Sequence, residues 1–173
     1  ITRQIITENP NAHIVGLRYF NVYGPRESYK METKMSSMVW QLYLQMNEGI
    51  KPKIFKHGQQ KRDFVYVKDI VKAMVEMMNP ELAQKSGIYN MGTGVANSFY
   101  DLARYTFKAM GKKENIEFFD MPERLRNQYQ YYTCASMEKF KSLLPHFSFN
   151  SLEENVEDYV KNYLMKEDPH YNG

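Results

Sequence analysis

His13-Ile14-Val15-Gly16-Leu17-Arg18-Tyr19-Phe20 runs directly into Asn21-Val22-Tyr23-Gly24-Pro25-Arg26. The first stretch is β-branched and apolar, which suits a buried strand. Gly24-Pro25 supplies turn chemistry after it. Upstream, Ile1 to Glu8 reads as the last turns of a helix. Asn9-Pro10-Asn11 ends it, because proline disfavours helical geometry in the residue before it. Downstream the same alternation continues. Met35, Met38, Val39, Leu42 and Met46 recur at helical spacing and predict an amphipathic helix from Thr33 to Asn47, stopped at Gly49. Lys53-Ile54-Phe55 and Asp63 to Val67 predict strands, with a polar turn around His57-Gly58-Gln59-Gln60 between them. Lys68 to Met78 predicts a helix with Ile70, Val71, Met74, Met77 and Met78 on one face.

Gly87 to Met91 then predicts a strand entering the loop Gly92-Thr93-Gly94. Ser98, with Asp101 three residues on, starts a helix that Gly111 ends. Asn115 to Phe119 reads as a strand, Met121 to Thr133 as a tyrosine-rich segment without a period, and Met137 to Leu144 as a short helix. Ser151 and Glu154 form a capping box before a last helix carrying Leu152, Val156, Tyr159, Val160, Tyr163 and Leu164. Strands alternating with helices predict an α/β fold whose sheet is mainly parallel.

The 173 residues suit one domain with a real core. Hydrophobic residues at 43% and charged residues at 25% argue against disorder. No apolar run reaches the length of a membrane span. The single cysteine, Cys134, excludes an intramolecular disulfide framework and suits a reduced compartment. Net charge is +3 with both signs interspersed, so the footprint of a nucleic-acid binder is weak. Nothing near Ile1 reads as a signal peptide.

Several catalytic signatures are also missing. Gly92 and Gly94 have the first spacing of a dinucleotide fingerprint, but Asn97 stands at the third glycine position. No P-loop is present, and no tyrosine is followed four residues later by lysine. The four histidines, His13, His57, His146 and His170, show no metal-ligand spacing.

Three segments carry a resemblance: Leu17 to Arg26, Lys61-Arg62-Asp63-Phe64-Val65-Tyr66-Val67-Lys68-Asp69-Ile70, and Tyr89-Asn90-Met91-Gly92-Thr93-Gly94. In this order and spacing they resemble the C-terminal half of the extended short-chain dehydrogenases that modify nucleotide-activated sugars. The resemblance covers nearly the whole chain. It implies the last strands of a Rossmann-like parallel sheet plus a smaller mixed α/β substrate-binding lobe. Residues 1–173 would form one substrate-binding region, and the cofactor fingerprint would lie in a half upstream of Ile1.

Lys30, Met35-Ser36-Ser37-Met38 and Tyr129-Gln130 with Thr133 narrow the resemblance to the ADP-L-glycero-D-manno-heptose 6-epimerase family. That family implies a bound NADP and an ADP-heptose substrate. It inverts the sugar's C6 centre by oxidation to a transient ketone and reduction from the other face, on the way to the lipopolysaccharide core. It further implies a cytoplasmic enzyme, homo-oligomeric when full length.

Residue by residue, the resemblance implies the following site. Asn21 contacts substrate, where a carboxamide both donates and accepts hydrogen bonds. Val22 lies beside the nicotinamide, and Lys30 is the second acid/base, next to the cofactor. Inversion needs proton transfer on two faces of one carbon, so a second proton carrier is chemically reasonable. The family usually reads His-Lys-Gly-x-Met, whereas Tyr29 to Met35 is two residues longer. Lys34 is therefore the other candidate base, or a substrate contact. Gln41 stands where the family often has a substrate histidine. Phe55, Lys56, His57 and Gly58 match a nucleotide-embracing loop, here one residue shorter; the alternative is a hairpin tip.

Arg62 would fork onto the pyrophosphate. The alternative is an ion pair with Asp63 or Asp69. Tyr129 would be a substrate phenol. Asp63, Asp69, Asn90 and Thr93 read as scaffold. Two other functions stay open: another nucleotide-sugar 4-epimerase or dehydratase of the same group, and a non-catalytic nucleotide-sugar-binding module.

Overall fold

The computed structural model describes residues 1–27, 30, 35–55, 60–82, 85–126 and 129–166. Two strands stand end to end in it and take different partners. β1 (Val15–Tyr19) runs parallel to β6 (Gly87–Met91), with Val15 opposite Gly87 and Tyr19 opposite Met91. β2 (Asn21–Tyr23) runs parallel to β5 (Phe64–Tyr66), with Asn21 opposite Phe64. The change happens at Phe20. Its N–H donates to the Met91 carbonyl, and the next N–H, of Asn21, donates to the Asp63 carbonyl. Every backbone donor is kept while the chain leaves one ladder for another, and the step delivers Asn21 and Val22 to a new surface.

Two further ladders complete the strands. β3 (Lys53–Phe55) pairs in parallel with β8 (Glu117–Phe119), and β4 (Lys61–Arg62) pairs antiparallel with β7 (Asn97–Ser98). The parallel α/β architecture expected from the sequence is present. One expectation needs correcting. Ile14 to Phe20 reads as a buried strand, yet Arg18 and Tyr19 are exposed and Val15 to Leu17 only half-buried. Among the described residues β1 has a ladder partner on one edge only.

The helices follow from caps and periodicity. α1 is Thr2–Glu8 and α2 is Met38–Asn47. The Ser37 hydroxyl caps α2 by accepting the Trp40 N–H. The predicted start at Thr33 is thus too early, and Met35 lies outside the helix, 74% exposed. A serine oxygen satisfies a first-turn donor, which a methionine cannot do. α3 (Val67–Met77) buries Ile70, Ala73 and Met77. Val71, Met74 and Met78, expected on that buried face, are exposed instead. α4 (Phe99–Ala109) and α7 (Leu152–Tyr159) both open with full capping boxes, Ser98 with Asp101 and Ser151 with Glu154. α5 (Glu123–Arg126) and α6 (Glu138–Leu143) are short, and a π-helical turn, Val160–Leu164, extends α7.

β5 is the wall between two cores. Phe64 and Tyr66 point to a core with Trp40, Leu102, Phe107, Val156 and Tyr159. Val65 points the other way, to Ile70, Tyr89, Met91 and Phe140. The alternation of side chains along a strand makes this division possible. Each large apolar side chain so buried contributes roughly 1.5–3 kcal/mol. Among the described residues no helix is long and apolar enough to cross a membrane.

Asp158 ties α7 to this wall. It accepts hydrogen bonds from Tyr66 Oη and Lys68 Nζ, both at 2.7 Å. Burial pushes its carboxyl up, but the bonds from Lys68, Tyr66 and Asn162 outweigh burial and hold it below the ordinary value. The pair's contribution is therefore complete above the unfolded pKa, near 3.9, and is lost as pH falls through the lower folded value. Asp158→Asn should lower Tm at pH 7 and leave it less changed at pH 3, by calorimetry.

Candidate functional site

The strand exchange at Phe20 opens a cleft of about 420 Å³. Asn21, Val22, Lys30 and Gln41 line it, as does Phe99 from α4. Val22 is exposed toward it, and Lys30 is half-buried. The turn between them is tightly specified. Gly24 sits at φ 142°, and a Cβ there would come within 2.4 Å of Val67 Cγ1. Arg26, at φ 69°, takes the left-handed conformation that non-glycine residues seldom adopt. The Lys30 N–H donates to the Glu27 carbonyl, and the Met35 N–H to the Lys30 carbonyl.

A second hollow of about 280 Å³ adjoins the first and shares Met38, Gln41 and Phe99 with it. It is aromatic. Phe55 on β3 lies 4.7 Å from Phe119 and meets Tyr129 edge-on at 5.7 Å, centroid to centroid. Such a wall offers stacking area for a planar base. Gln41, whose carboxamide donates to the Ser36 carbonyl at 2.8 Å, stands where the two hollows meet.

Arg62 reaches across this region from β4. Its guanidinium lies 5.4 Å from the Tyr129 ring centroid and 5.8 Å from that of Phe99, and Nη1 donates to the Lys61 carbonyl. Stacking on two rings fixes the plane of the fork and stabilises the cation. Among the described residues neither Asp63 nor Asp69 pairs with it. Asp69 is taken by Asn150 and Asn155.

Asp63 is fully buried and accepts four hydrogen bonds, from the Thr93 N–H and hydroxyl, the Gly94 N–H and the Ala135 N–H. It holds the Gly92-Thr93-Gly94 loop. The Thr93 and Gly94 N–H groups of that loop are engaged by a carboxylate and do not face a pyrophosphate.

The structure thus brings Asn21, Val22, Lys30 and Gln41 onto one cleft, and Gln41, Phe55 and Tyr129 onto its neighbour with Arg62 alongside. Lys34, Lys56, His57 and Gly58 lie outside the described residues. Sequence reasoning missed Phe99, Phe119 and Glu27. The two phenylalanines carry no signal that separates a cleft wall from a core position. Glu27, a charged residue after a turn, reads as solvated; it is only 5% exposed.

Residues 1–92 match the family model described as NAD dependent epimerase/dehydratase family. The chain is 45% identical over 166 residues to an ADP-L-glycero-D-manno-heptose-6-epimerase of Fusobacterium nucleatum subsp. nucleatum, covering 88% of this chain and 49% of that protein. Its fold is similar to the crystal structure of the Helicobacter pylori ADP-L-glycero-D-manno-heptose-6-epimerase, with a TM-score of 0.75 and 35% identity over 93% of this chain and 48% of that one. It is also similar to the UDP-glucuronic acid 4-epimerase from Bacillus cereus in complex with UDP-glucuronic acid and NAD, with a TM-score of 0.67 and 28% identity over 92% and 48% of the two chains. The chain spans about half the length of the curated relatives it matches.

Proposed function

The chain belongs to the NAD dependent epimerase/dehydratase family, and from there we propose that it is the substrate-binding half of an ADP-L-glycero-D-manno-heptose 6-epimerase. The observation that carries this reading is the pair of adjoining hollows. One is polar with Lys30 in its wall, and the other is aromatic with Arg62 beside it. A nucleotide sugar has the matching order of parts: a reacting sugar, a pyrophosphate and a planar base.

In this reading the adenine lies against Phe55 and Tyr129, and Arg62 forks onto the pyrophosphate. Asn21 and Gln41 hydrogen-bond sugar hydroxyls. Lys30 Nζ carries the proton on one face of the reacting carbon, and the other half supplies the acid/base for the opposite face. A nicotinamide cofactor, NADP, supplies the oxidation and re-reduction when bound. The enzyme so assembled works in the cytoplasm as a homo-oligomer and makes a lipopolysaccharide core precursor.

The test is conversion of ADP-D-glycero-D-manno-heptose, followed by chromatography. The enzyme that joins this chain to a nucleotide-binding half should interconvert the two C6 epimers. The 173-residue chain alone should turn over none. Conversion of a UDP-hexuronate in place of the ADP-heptose would move the assignment to a 4-epimerase.

Arg62→Ala should weaken binding of the ADP-sugar roughly 10- to 100-fold, the loss expected when charge-assisted hydrogen bonds to phosphate disappear. Arg62→Lys should recover only part, because an ammonium cannot fork or stack in the same way. Calorimetry with ADP-ribose as ligand measures both.

A further inference from the structure

Glu27 is a charged side chain inside the fold. It is buried, it lines the cleft of Lys30, and it accepts three hydrogen bonds from two distant parts of the chain. Ser37 donates twice, its N–H to Oε2 and its hydroxyl to Oε1, both at 2.6 Å. The Tyr159 hydroxyl donates to Oε1 at 2.8 Å. Two of these bonds tie Glu27 to Ser37, and Lys30, whose N–H donates to the Glu27 carbonyl, lies between them in sequence. The third ties Glu27 to α7.

We propose that Glu27 is a positioning residue for Lys30: its side chain is fixed to Ser37 and to α7, and its carbonyl accepts the Lys30 N–H. The proposal rests on the reading of Lys30 as the second acid/base. Three details support it. The Ser37 hydroxyl donates to Glu27 while it accepts the Trp40 N–H, so Glu27 sets the hydroxyl's orientation and through it the start of α2. Arg26, the residue just before Glu27, takes the left-handed backbone conformation. Burial, reinforced by the Glu27 charge, pushes the Tyr159 phenol up, so it remains a donor at every working pH.

A carboxylate is required here because three donors converge on it. Glutamine keeps the shape but replaces one acceptor oxygen by an NH₂ group, which either faces the Ser37 N–H or forces both hydroxyls to turn.

The experiment uses the enzyme that joins this chain to its nucleotide-binding half. Glu27→Gln should lower kcat roughly 10- to 100-fold, the scale of an ångström-level misplacement of a reacting group. KM for the ADP-heptose should stay within about threefold. Glu27→Gln combined with Lys30→Ala should be no slower than Lys30→Ala alone, because the clamp has nothing left to position. Tyr159→Phe, which keeps both Ser37 bonds, should give a smaller fall in kcat of the same kind and covers the case in which Glu27→Gln does not fold. An unchanged kcat in the folded variant, or losses that multiply in the double variant, would overturn the proposal while leaving Lys30 in its role. A fully active Lys30→Ala would overturn the Lys30 reading itself, and the proposal with it.

Discussion

Lys30→Ala, made in the enzyme that joins this chain to a nucleotide-binding half, should lower kcat by roughly 10²- to 10⁴-fold, the range that positioned acid–base groups contribute. Affinity for the ADP-sugar should change little. The argument is geometric. Lys30 lines the same cleft as Asn21 and Gln41, while the contacts assigned to base and pyrophosphate belong to Phe55, Tyr129 and Arg62 in and beside the neighbouring hollow. Removing an amine from the first cleft leaves the second intact. Steady-state rates together with calorimetry separate the two effects. Lys34→Ala should be mild by comparison. If Lys34→Ala is the crippled variant, the acid/base is Lys34, and the two additional residues after Tyr29 have shifted the register of the motif.

The second large effect is on stability. Asp63→Ala should destabilise the fold by about 3–5 kcal/mol, since each buried donor left without an acceptor costs about 1–3 kcal/mol and the loop relaxes in part. Four donors lose their acceptor at once, and three of them are backbone N–H groups that cannot reorient. Gly92 belongs to the same unit, since a Cβ on it would come within 2.6 Å of Asp63 Oδ2. Chemical denaturation of Asp63→Ala and Asp63→Asn measures the loss. Asparagine should rank between alanine and the parent because it keeps one acceptor oxygen. A loss below 1 kcal/mol for alanine would mean that the Gly92-Thr93-Gly94 loop is held by other contacts.

The elements most legible in the sequence are those specified locally. Ser98 with Asp101 and Ser151 with Glu154 announce the starts of α4 and α7, and both capping boxes are present. Gly111, at φ 65°, ends α4 where a glycine stop is expected. The readings that failed concern tertiary context. Periodicity puts Met35 in phase with α2, but the Ser37 cap starts the helix after it. Val71, Met74 and Met78 share an apolar stripe with Ile70 and Met77, yet packing selects Ile70, Ala73 and Met77 for burial. No local pattern announces that the strand exchanges partners at Phe20, because register depends on chain segments about 40 and 70 residues away.

The site divides the same way. Motifs single out Asn21, Val22, Lys30, Gln41, Phe55, Arg62 and Tyr129 as candidates. Motifs do not give their separation into a polar cleft and an aromatic one. Arg62 shows the difference best. Its sequence neighbour Asp63 suggests an ion pair, but Asp63 is consumed by the Thr93, Gly94 and Ala135 donors, and the guanidinium stacks on Phe99 and Tyr129 instead.

The bond from Tyr159 to Glu27 spans 132 residues, and that span orders events during synthesis. At translation speeds of about 5–20 residues per second, roughly 7–26 seconds separate the appearance of Glu27 from that of its last donor. Over that interval Glu27 lacks the donor that ties it to α7. A product that stops before α7 carries every cleft-lining residue but not that donor, nor the Leu152, Val156 and Tyr159 side chains that share a core with Phe64 and Leu102 of the cleft. The helix that braces the cleft is thus synthesised after the residues that line it.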